Sequence, residues 1–385
     1  MLEARAPRRL RSALANLALA AGATVLVLVL FEAVFRLVPA LLPAGSYGAG
    51  RFDPELGMNV LASGPTLYGP ADPLLVEPNP DGFRDVAHQG AKPPGVTRIG
   101  FFGDSYVQAA QVPLETTFFR QVGRALGDRV ETFGFGISGW GALHSLRAFQ
   151  VLGPRYGLDV AVYVFVENDP GDEDYEIASH SESAGSAMPY AELVDGGAAY
   201  RVRWVTEPGH EPWWHAAAKF LQRHSLVSHV IRDRLALLRT RGVRVQADRA
   251  DVEMSKASGA LPDANDLPAT WPPAYRERAE RLFDLVLADW KKEAAAQRVR
   301  LLVLYVPRGE SQLRGAIPRD DTWLPALESA TRQLGIPLLD PSAALAARMA
   351  AGDPVYRDHW TPAGHEVIAA ELSAYLERML AGGSS

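Results

Sequence analysis

The sequence contains no cysteine, which excludes disulfide bridges, zinc–thiolate sites and a cysteine nucleophile. It also has no excess of positive charge. The 385 residues carry a formal net charge of −6 at pH 7, so the chain lacks the basic field that nucleic-acid binding uses, and no nucleic-acid partner is expected. Apolar residues make up 48% of the chain, which is enough to form a large buried core. These features predict a globular protein.

Long apolar runs are scarce, and the one that stands out is near the N-terminus. Residues 12–31 carry no charge and, at about 1.5 Å per residue, would span a hydrocarbon core of roughly 30 Å. The run is longer than the apolar part of a signal peptide, and no clear Ala-x-Ala cleavage site lies just before the polar region. We therefore expect an uncleaved membrane helix rather than a cleaved signal or a buried soluble helix.

Charges on either side of this run predict its orientation. Several arginines precede it, which favours a cytoplasmic N-terminus and places everything after residue 40 outside the cytoplasm, in the periplasm or the extracellular space. Glu32 and Arg36 lie one helical turn apart and are expected to pair at the outer interface.

The chain divides into three predicted regions. Residues 1–40 form a cytoplasmic stub and the membrane anchor. Residues 41–97 are rich in Pro and Gly without a sustained period, and they are expected to run as an extended leader along the domain surface. Residues 98–385 form the main domain, with an insertion at about 171–272. An apolar stripe between residues 220 and 238 predicts that part of the insertion packs on the main domain as a helix.

Short apolar runs alternate with segments of helical periodicity in the main domain. The runs lie at 98–102, 130–135, 160–166, 300–306 and 336–339. Nearly continuous apolar strands that alternate with helices predict a three-layer α/β fold of flavodoxin-like type, with a parallel sheet of about five strands and helices on both faces. Chemistry in such a fold belongs at the carboxyl ends of the strands.

The first of these runs ends in an unusual way. "RIGFFGDSY" is a predicted buried strand that stops at Gly103, Asp104 and Ser105, which delivers a hydroxyl to the edge of the sheet. A helix that begins there can direct backbone N–H groups at a developing negative charge. The same residues also suit an ordinary turn in which Asp104 or Ser105 caps a helix.

Four segments together resemble the SGNH, or GDSL-type, serine hydrolase family. They are "RIGFFGDSY", "ETFGFGISGWGALHSLRAF", "VAVYVFVENDPGD" and "YRDHWTPAGHEVIAAEL", and the resemblance covers about residues 80–381. It implies that Ser105 is the nucleophile and His359 the general base. It also implies an oxyanion hole formed by the backbone N–H groups of Ser105 and Gly139 and the side-chain amide of Asn168.

The sequence departs from the family pattern at three places. Gly134 stands where members often have asparagine, and Glu167 where glycine is usual. The acid that supports His359 is the third departure, because the usual spacings place it at Tyr356 or Arg357, and neither is acidic. We predict that Asp358 fills this role, which requires a turned backbone because neighbouring side chains on a strand point to opposite faces. Asp353 and an unassisted Ser–His dyad are the alternatives.

Other residues near these segments are candidates for substrate contacts. Asp104, Trp140 and Trp360 are predicted to line the substrate site, with the two tryptophans as a stacking wall for a sugar or an acyl chain. Core or lid positions are the alternative for both tryptophans. The acidic residues from Asp169 to Asp174 are expected to form a solvated loop rather than a calcium site, since their spacing fits no EF-hand. No metal or cofactor is expected.

The sequence therefore predicts a membrane-anchored serine esterase that forms an acyl-enzyme on Ser105. The substrate is expected to be an ester, either an O-acetylated cell-surface glycan or a lipid. An O-acetyltransferase with the same triad is one alternative. A catalytically silent protein of glycan binding or assembly is the other.

Overall fold

The computed structural model describes residues 8–38, 41, 46–47, 50–61, 66–68, 74–76, 78–178, 188–204, 225–228, 230–231 and 262–382. The strands are β1 (Ser46–Tyr47), β2 (Gly50–Asp53), β3 (Met58–Leu61), β4 (Thr66–Tyr68), β5 (Leu74–Val76), β6 (Thr97–Gly103), β7 (Val130–Gly136), β8 (Val160–Phe165), β9 (Pro189–Val194), β10 (Ala199–Trp204), β11 (Arg300–Tyr305) and β12 (Leu338–Leu339). The helices are α1 (Arg8–Leu37), α2 (Ser105–Gln108), α3 (Phe118–Leu126), α4 (Ala142–Tyr156), α5 (Asp169–Asp172), α6 (Tyr175–Ala178), α7 (Pro273–Gln297), α8 (Gly309–Leu313), α9 (Leu324–Leu334), α10 (Ser342–Ala350) and α11 (Pro362–Ala381).

The main sheet has five parallel strands in the order β12-β11-β8-β6-β7. All six residues of β8 are buried, as are six of the seven in β6, because helices cover both faces of the sheet. Side chains that alternate along the strands pack on one side with α4, α7 and α9, and on the other with α3 and α11. The predicted three-layer α/β fold is confirmed.

The ends of three strands meet at the edge of the sheet where chemistry is expected. Gly103 at the end of β6 pairs with Gly136 at the end of β7, and Phe102 pairs with Tyr163 of β8 on the other side. The turns that follow these three strands therefore share one edge of the sheet.

The segment before β6 is more than a surface leader. Leu56, Met58, Val60 and Phe83 are at most 3% exposed and belong to the same core cluster as one face of the sheet. The expectation of an extended leader along the surface is wrong for these residues. Their apolar positions are divided between the β2–β3 hairpin and a later turn, so they produce no sustained period in the sequence.

The described parts of the insertion include an antiparallel hairpin of β9 and β10. Its turn contains Asp195, Gly196 and Gly197, all with positive φ, as a tight hairpin turn requires. Most of the apolar stripe at 220–238 lies outside the described residues.

The N-terminal helix has the length and composition needed to cross a membrane over Ala15–Leu37, properties that a signal sequence shares. The predicted pair at its end is confirmed, with Arg36 Nη2 2.7 Å from Glu32 Oε1. The Glu32 carboxylate also accepts hydrogen bonds from Ser225 Oγ at 2.9 Å and from the backbone N–H of Val227 at 3.1 Å. The C-terminal end of α1 is thus joined to the insertion.

Candidate active site

Ser105 is the first residue of α2, directly after the strand β6 and its cap. The Asp104 side chain accepts a hydrogen bond from the backbone N–H of Tyr106 at 2.9 Å, which caps the helix. Burial raises the pKa of Asp104, while the hydrogen bond from Tyr106 and the nearby His359 act in the opposite direction. Helix capping and delivery of a hydroxyl to the sheet edge therefore coexist at this turn.

His359 reaches Ser105 from the far end of the chain. Its Nε2 is 2.7 Å from Ser105 Oγ, and the two residues are 254 positions apart in the sequence. The hydroxyl donates this bond when the ring proton is on Nδ1. Asp104 Oδ2 is a second acceptor for the hydroxyl at 3.3 Å, so the imidazole is the closer partner.

Asp358 is the carboxylate that contacts His359. Its Oδ2 is 3.0 Å from His359 Nδ1, whereas Asp353 Oδ2 is 2.5 Å from Arg348 Nε. The backbone is turned here, since Arg357 N–H donates to the carbonyl oxygen of His359 at 3.0 Å, and this lets adjacent side chains meet. The Asp358 side chain is 97% exposed.

Asn168 follows β8 and lines the same cleft as Ser105, His359, Asp358 and Asp104. This cleft has a volume of about 340 Å³, and Tyr106, Glu167 and Arg308 also form its walls. Gly139 is in the turn after β7, outside the cleft lining, with a φ of +81° that favours glycine. The structure therefore brings together five of the predicted site residues, with Gly139 in a neighbouring turn.

The two tryptophans are core residues. Trp140 and Trp360 are both 0% exposed, and neither lines the cleft. Trp360 packs edge-on against Tyr106, with ring centroids 4.9 Å apart, and its Nε1 donates to Tyr356 Oη at 2.7 Å. The prediction that the two rings form a stacking wall for substrate is therefore corrected, because both are buried in the core and cannot reach a ligand in the cleft.

The acidic run after Asn168 is buried rather than solvated, which corrects the sequence-based expectation. Asp169, Asp172, Glu173 and Asp174 are between 0% and 7% exposed, and each has a hydrogen-bond partner. Burial raises the pKa of Glu173 to about 8, and its Oε2 accepts a hydrogen bond from the backbone N–H of Leu143 at 3.1 Å. Among the described residues no cluster of this kind could hold a metal ion.

Two departures from the family pattern, at Glu167 and Gly134, are explained by the residues that surround them. Burial raises the pKa of Glu167, whose carboxyl accepts hydrogen bonds from Tyr305 Oη at 2.6 Å and from the backbone N–H of Trp323 at 3.0 Å. A Cβ at Gly134 would lie 2.7 Å from the Phe119 ring, so a larger side chain there would displace α3.

A glycine also sets the distance between the nucleophile helix and β7. A Cβ at Gly136 would lie 2.5 Å from the backbone nitrogen of Gln108 and from Cβ of Val107. The end of β7 can approach α2 this closely only because the position has no side chain. Gln108 then bridges to the next turn, since its Oε1 accepts a hydrogen bond from Ser138 N–H at 2.9 Å.

Arg84 is a buried residue of the site that the sequence reasoning missed. Its guanidinium donates to the carbonyl oxygens of Gln108 at 3.2 Å, of Ala109 at 2.9 Å and of Val112. These carbonyls end the segment that begins with Ser105. The one signal in the sequence is a single arginine directly after Phe83 in "DGFRDV", within the region predicted to be a surface leader.

Comparisons with known proteins return solved structures only. No family model and no curated protein matches the sequence. An acetyl xylan esterase is 14% identical, with 73% of this chain and 100% of that chain covered and a TM-score of 0.39. The psychrotrophic esterase EstA from Pseudoalteromonas sp. is 10% identical, with 74% of this chain and 98% of that chain covered and a TM-score of 0.38. A structure described as a putative lipolytic protein of the G-D-S-L family, from Desulfitobacterium hafniense, is 10% identical, with 72% of this chain and 98% of that chain covered and a TM-score of 0.35.

The four segments named above occupy the positions that an active site needs in this fold. Three run through the carboxyl ends of β6, β7 and β8 into the turns that follow, and the fourth contains the turn before α11 and the first half of that helix. The chain resembles the SGNH hydrolases.

Proposed function

We propose that this protein is a serine ester hydrolase of the SGNH, or GDSL, type. The observation that carries the proposal is the 2.7 Å contact between Ser105 Oγ and His359 Nε2 in a cleft that Asn168 also lines. A serine hydroxyl is a weak nucleophile at neutral pH and needs a base within hydrogen-bond distance, which this imidazole supplies.

The proposed reaction uses these groups in two half-reactions. His359 Nε2 accepts the hydroxyl proton as Ser105 Oγ attacks the ester carbonyl carbon, and the carbonyl oxygen becomes an oxyanion. The tetrahedral intermediate collapses when His359 returns the proton to the leaving alkoxide, which leaves an acyl group on Ser105. Water then attacks this acyl-enzyme with His359 again as the base, and the acid is released.

The oxyanion requires donors that are already in place. We assign this role to the backbone N–H groups of Ser105 and Gly139 and to the side-chain amide of Asn168. Each such donor typically contributes about 3 to 4 kcal/mol to transition-state stabilisation. Esters are favoured over amides because an alkoxide leaves more readily than an amide anion.

The substrate is proposed to be an O-acetyl ester on a cell-surface glycan, reached from a membrane anchor with the catalytic domain outside the cytoplasm. The apolar helix over Ala15–Leu37 and the arginines before it support the anchor and its orientation. The polar side chains of Glu167 and Arg308 in the cleft wall suit a small acyl group and a hydroxylated alcohol better than a long acyl chain.

An active-site probe tests the reaction class. We expect a fluorophosphonate, which reacts with activated serines, to add one phosphonyl group to Ser105 in the full-length protein in detergent micelles, as mapped by peptide mass spectrometry. The variant Ser138→Ala, which removes an exposed hydroxyl from the turn before Gly139, should still be labelled. Absence of labelling at Ser105 in folded protein would contradict the proposal.

A second prediction concerns Asp358. An exposed ionic hydrogen bond contributes only about 0.2 to 1 kcal/mol, so we expect Asp358→Asn to lower kcat by at most about fivefold rather than by the orders of magnitude that a buried triad aspartate supplies. Asp353→Asn is the matched control, since its carboxylate contacts Arg348, and it should leave kcat unchanged. Steady-state hydrolysis of p-nitrophenyl acetate measures both. A larger loss in the Asp353 variant would show that the acid is misassigned.

A further inference from the structure

Asn168 is held by a carboxyl group that does not line the cleft. Its Nδ2 donates to Asp172 Oδ2 at 2.5 Å, and the backbone N–H of Asp172 donates to the carbonyl oxygen of Asn168 at 2.9 Å. Asn168 forms part of the cleft wall, whereas Asp172 is 7% exposed and lies outside that wall. Both contacts arise within the single turn of α5 that follows β8.

This contact uses one of the two N–H bonds of the amide. A primary amide has two such bonds in one plane, so fixing one of them fixes the direction of the other. The Asn168 side chain makes no capping hydrogen bond to α5, which would otherwise hold it. Asp172 is thus the described partner that determines how the amide is oriented.

The helix turn that carries Asp172 is in turn held against the core. The neighbouring Gly171 lies so close to Ala264 that a Cβ there would be 2.6 Å from the Cβ of Ala264, and α5 packs against α6 and α7. Burial raises the pKa of Asp172 to about 7, and the hydrogen bond from Asn168 acts against this rise. The amide therefore offsets part of the cost of burying the carboxyl, and each group stabilises the position of the other.

We propose that Asp172 is a positioning residue of the oxyanion hole, which orients the Asn168 amide through one N–H so that the other serves the oxyanion. A donor that is already oriented needs no reorganisation when charge develops, which is where its catalytic effect arises. The proposal rests on the proposed function, since it requires acyl transfer at Ser105. Asp172 itself does not touch the substrate.

A double-mutant cycle in the full-length protein tests this role. Asn168→Ala should lower kcat by about 10²- to 10³-fold, the usual loss for one oxyanion donor. We expect Asp172→Ala to lower kcat by roughly 10- to 100-fold, with KM within about twofold, because the affected bond forms only in the transition state. In the Asn168→Ala background, Asp172→Ala should cause no further loss of kcat.

The conservative variant Asp172→Asn distinguishes loss of the Asn168 amide orientation from a general disruption of the fold. Asp172→Asn keeps an acceptor oxygen at the same position, so it should retain kcat to within about threefold of the wild type. Asp289→Ala is the control for loss of a partly buried carboxylate: it removes a 2.7 Å hydrogen bond from Tyr200 outside the cleft and should leave kcat unchanged. Thermal unfolding of each variant checks that it is folded.

Several outcomes would overturn the proposal. Losses that multiply in the double variant, or a loss that falls on KM, would show that Asp172 does not act through Asn168. A crystal structure of Asp172→Ala provides a readout that does not depend on turnover: the Asn168 amide should leave its wild-type position, and an unmoved amide would refute the proposal. Wild-type turnover that disappears in Ser105→Ala tests the proposed function separately, so the two failures are distinguishable.

Discussion

Ser105→Ala should lower kcat for hydrolysis of p-nitrophenyl acetate by about 10⁴-fold or more, with little change in the free energy of unfolding. The hydroxyl is the atom that attacks the carbonyl in the proposed reaction, and its loss leaves only binding and oxyanion stabilisation. Its position at the start of α2 does not depend on the hydroxyl, because Asp104 caps this helix through Tyr106 N–H. Steady-state kinetics of the full-length protein in detergent micelles measures the effect.

The partner variant makes this test sharper. His359→Ala should cause a loss of similar size, and the double variant Ser105→Ala/His359→Ala should be no slower than either single variant, since the two residues act as a unit. A Ser105→Ala protein that keeps activity within about tenfold of the wild type would exclude Ser105 as the nucleophile. Equal and negligible turnover in wild type and variant would favour the silent glycan-binding alternative.

Arg84→Ala should lower the free energy of unfolding by about 3 to 5 kcal/mol. Arg84 is 4% exposed, and three backbone carbonyls of the segment after Ser105 accept hydrogen bonds from its guanidinium. The variant removes a donor from three buried carbonyls, of which that of Ala109 keeps the backbone N–H of Val112 at 3.3 Å. Loss of a donor to a buried carbonyl costs about 1 to 3 kcal/mol, and partial relaxation reduces the sum. Denaturant unfolding followed by tryptophan fluorescence measures the change. We also expect a lower kcat, since the same carbonyls end the nucleophile segment.

Arg147→Ala is the matched control for this prediction. Arg147 also donates to two backbone carbonyls, those of Glu55 at 2.9 Å and Leu56 at 3.3 Å, but its own side chain is exposed. Water can replace its hydrogen bonds, so the expected loss is under about 1 kcal/mol. Similar losses in the two variants would show that burial of the Arg84 guanidinium is not the source of the effect.

The main sheet could be predicted from the sequence because each of its long strands is marked by the pattern of its own residues. β6 and β8 are continuous apolar runs, and this pattern is typical of strands that are covered on both faces. The approach of His359 to Ser105 was expected from the resemblance to the SGNH hydrolases, since His359 lies between α10 and α11 and no strand of the main sheet leads directly to it. The catalytic roles assigned to these residues remain predictions that the variants above test.

Burial of the acidic run could not be predicted in the same way. Acidic residues are usually solvated, and nothing near Asp172 or Glu173 in the sequence indicates otherwise. The partners of Glu173 and Asp174 come from elsewhere: Leu143 lies in the first turn of the helix after the Gly139 turn, and Arg278 pairs with Asp174 across 104 positions. Likewise, the role of Arg84 could not be predicted, because its hydrogen-bond acceptors belong to the turn after Ser105, which lies beside it only in the folded protein. Contacts of this kind are tertiary and leave no periodic signal.

The contact between Glu32 and the insertion has a consequence for how the enzyme would work at a bilayer. The carboxylate at the end of the apolar helix binds Ser225, which is 193 positions later. A catalytic domain that hung from its anchor by a flexible leader alone would sweep a wide volume above the lipid surface. Under the anchoring proposed above, a second attachment at the end of α1 would restrict that movement and hold the cleft at a set height above the bilayer. Ester groups of an envelope polymer that lie farther out would then be beyond the reach of Ser105.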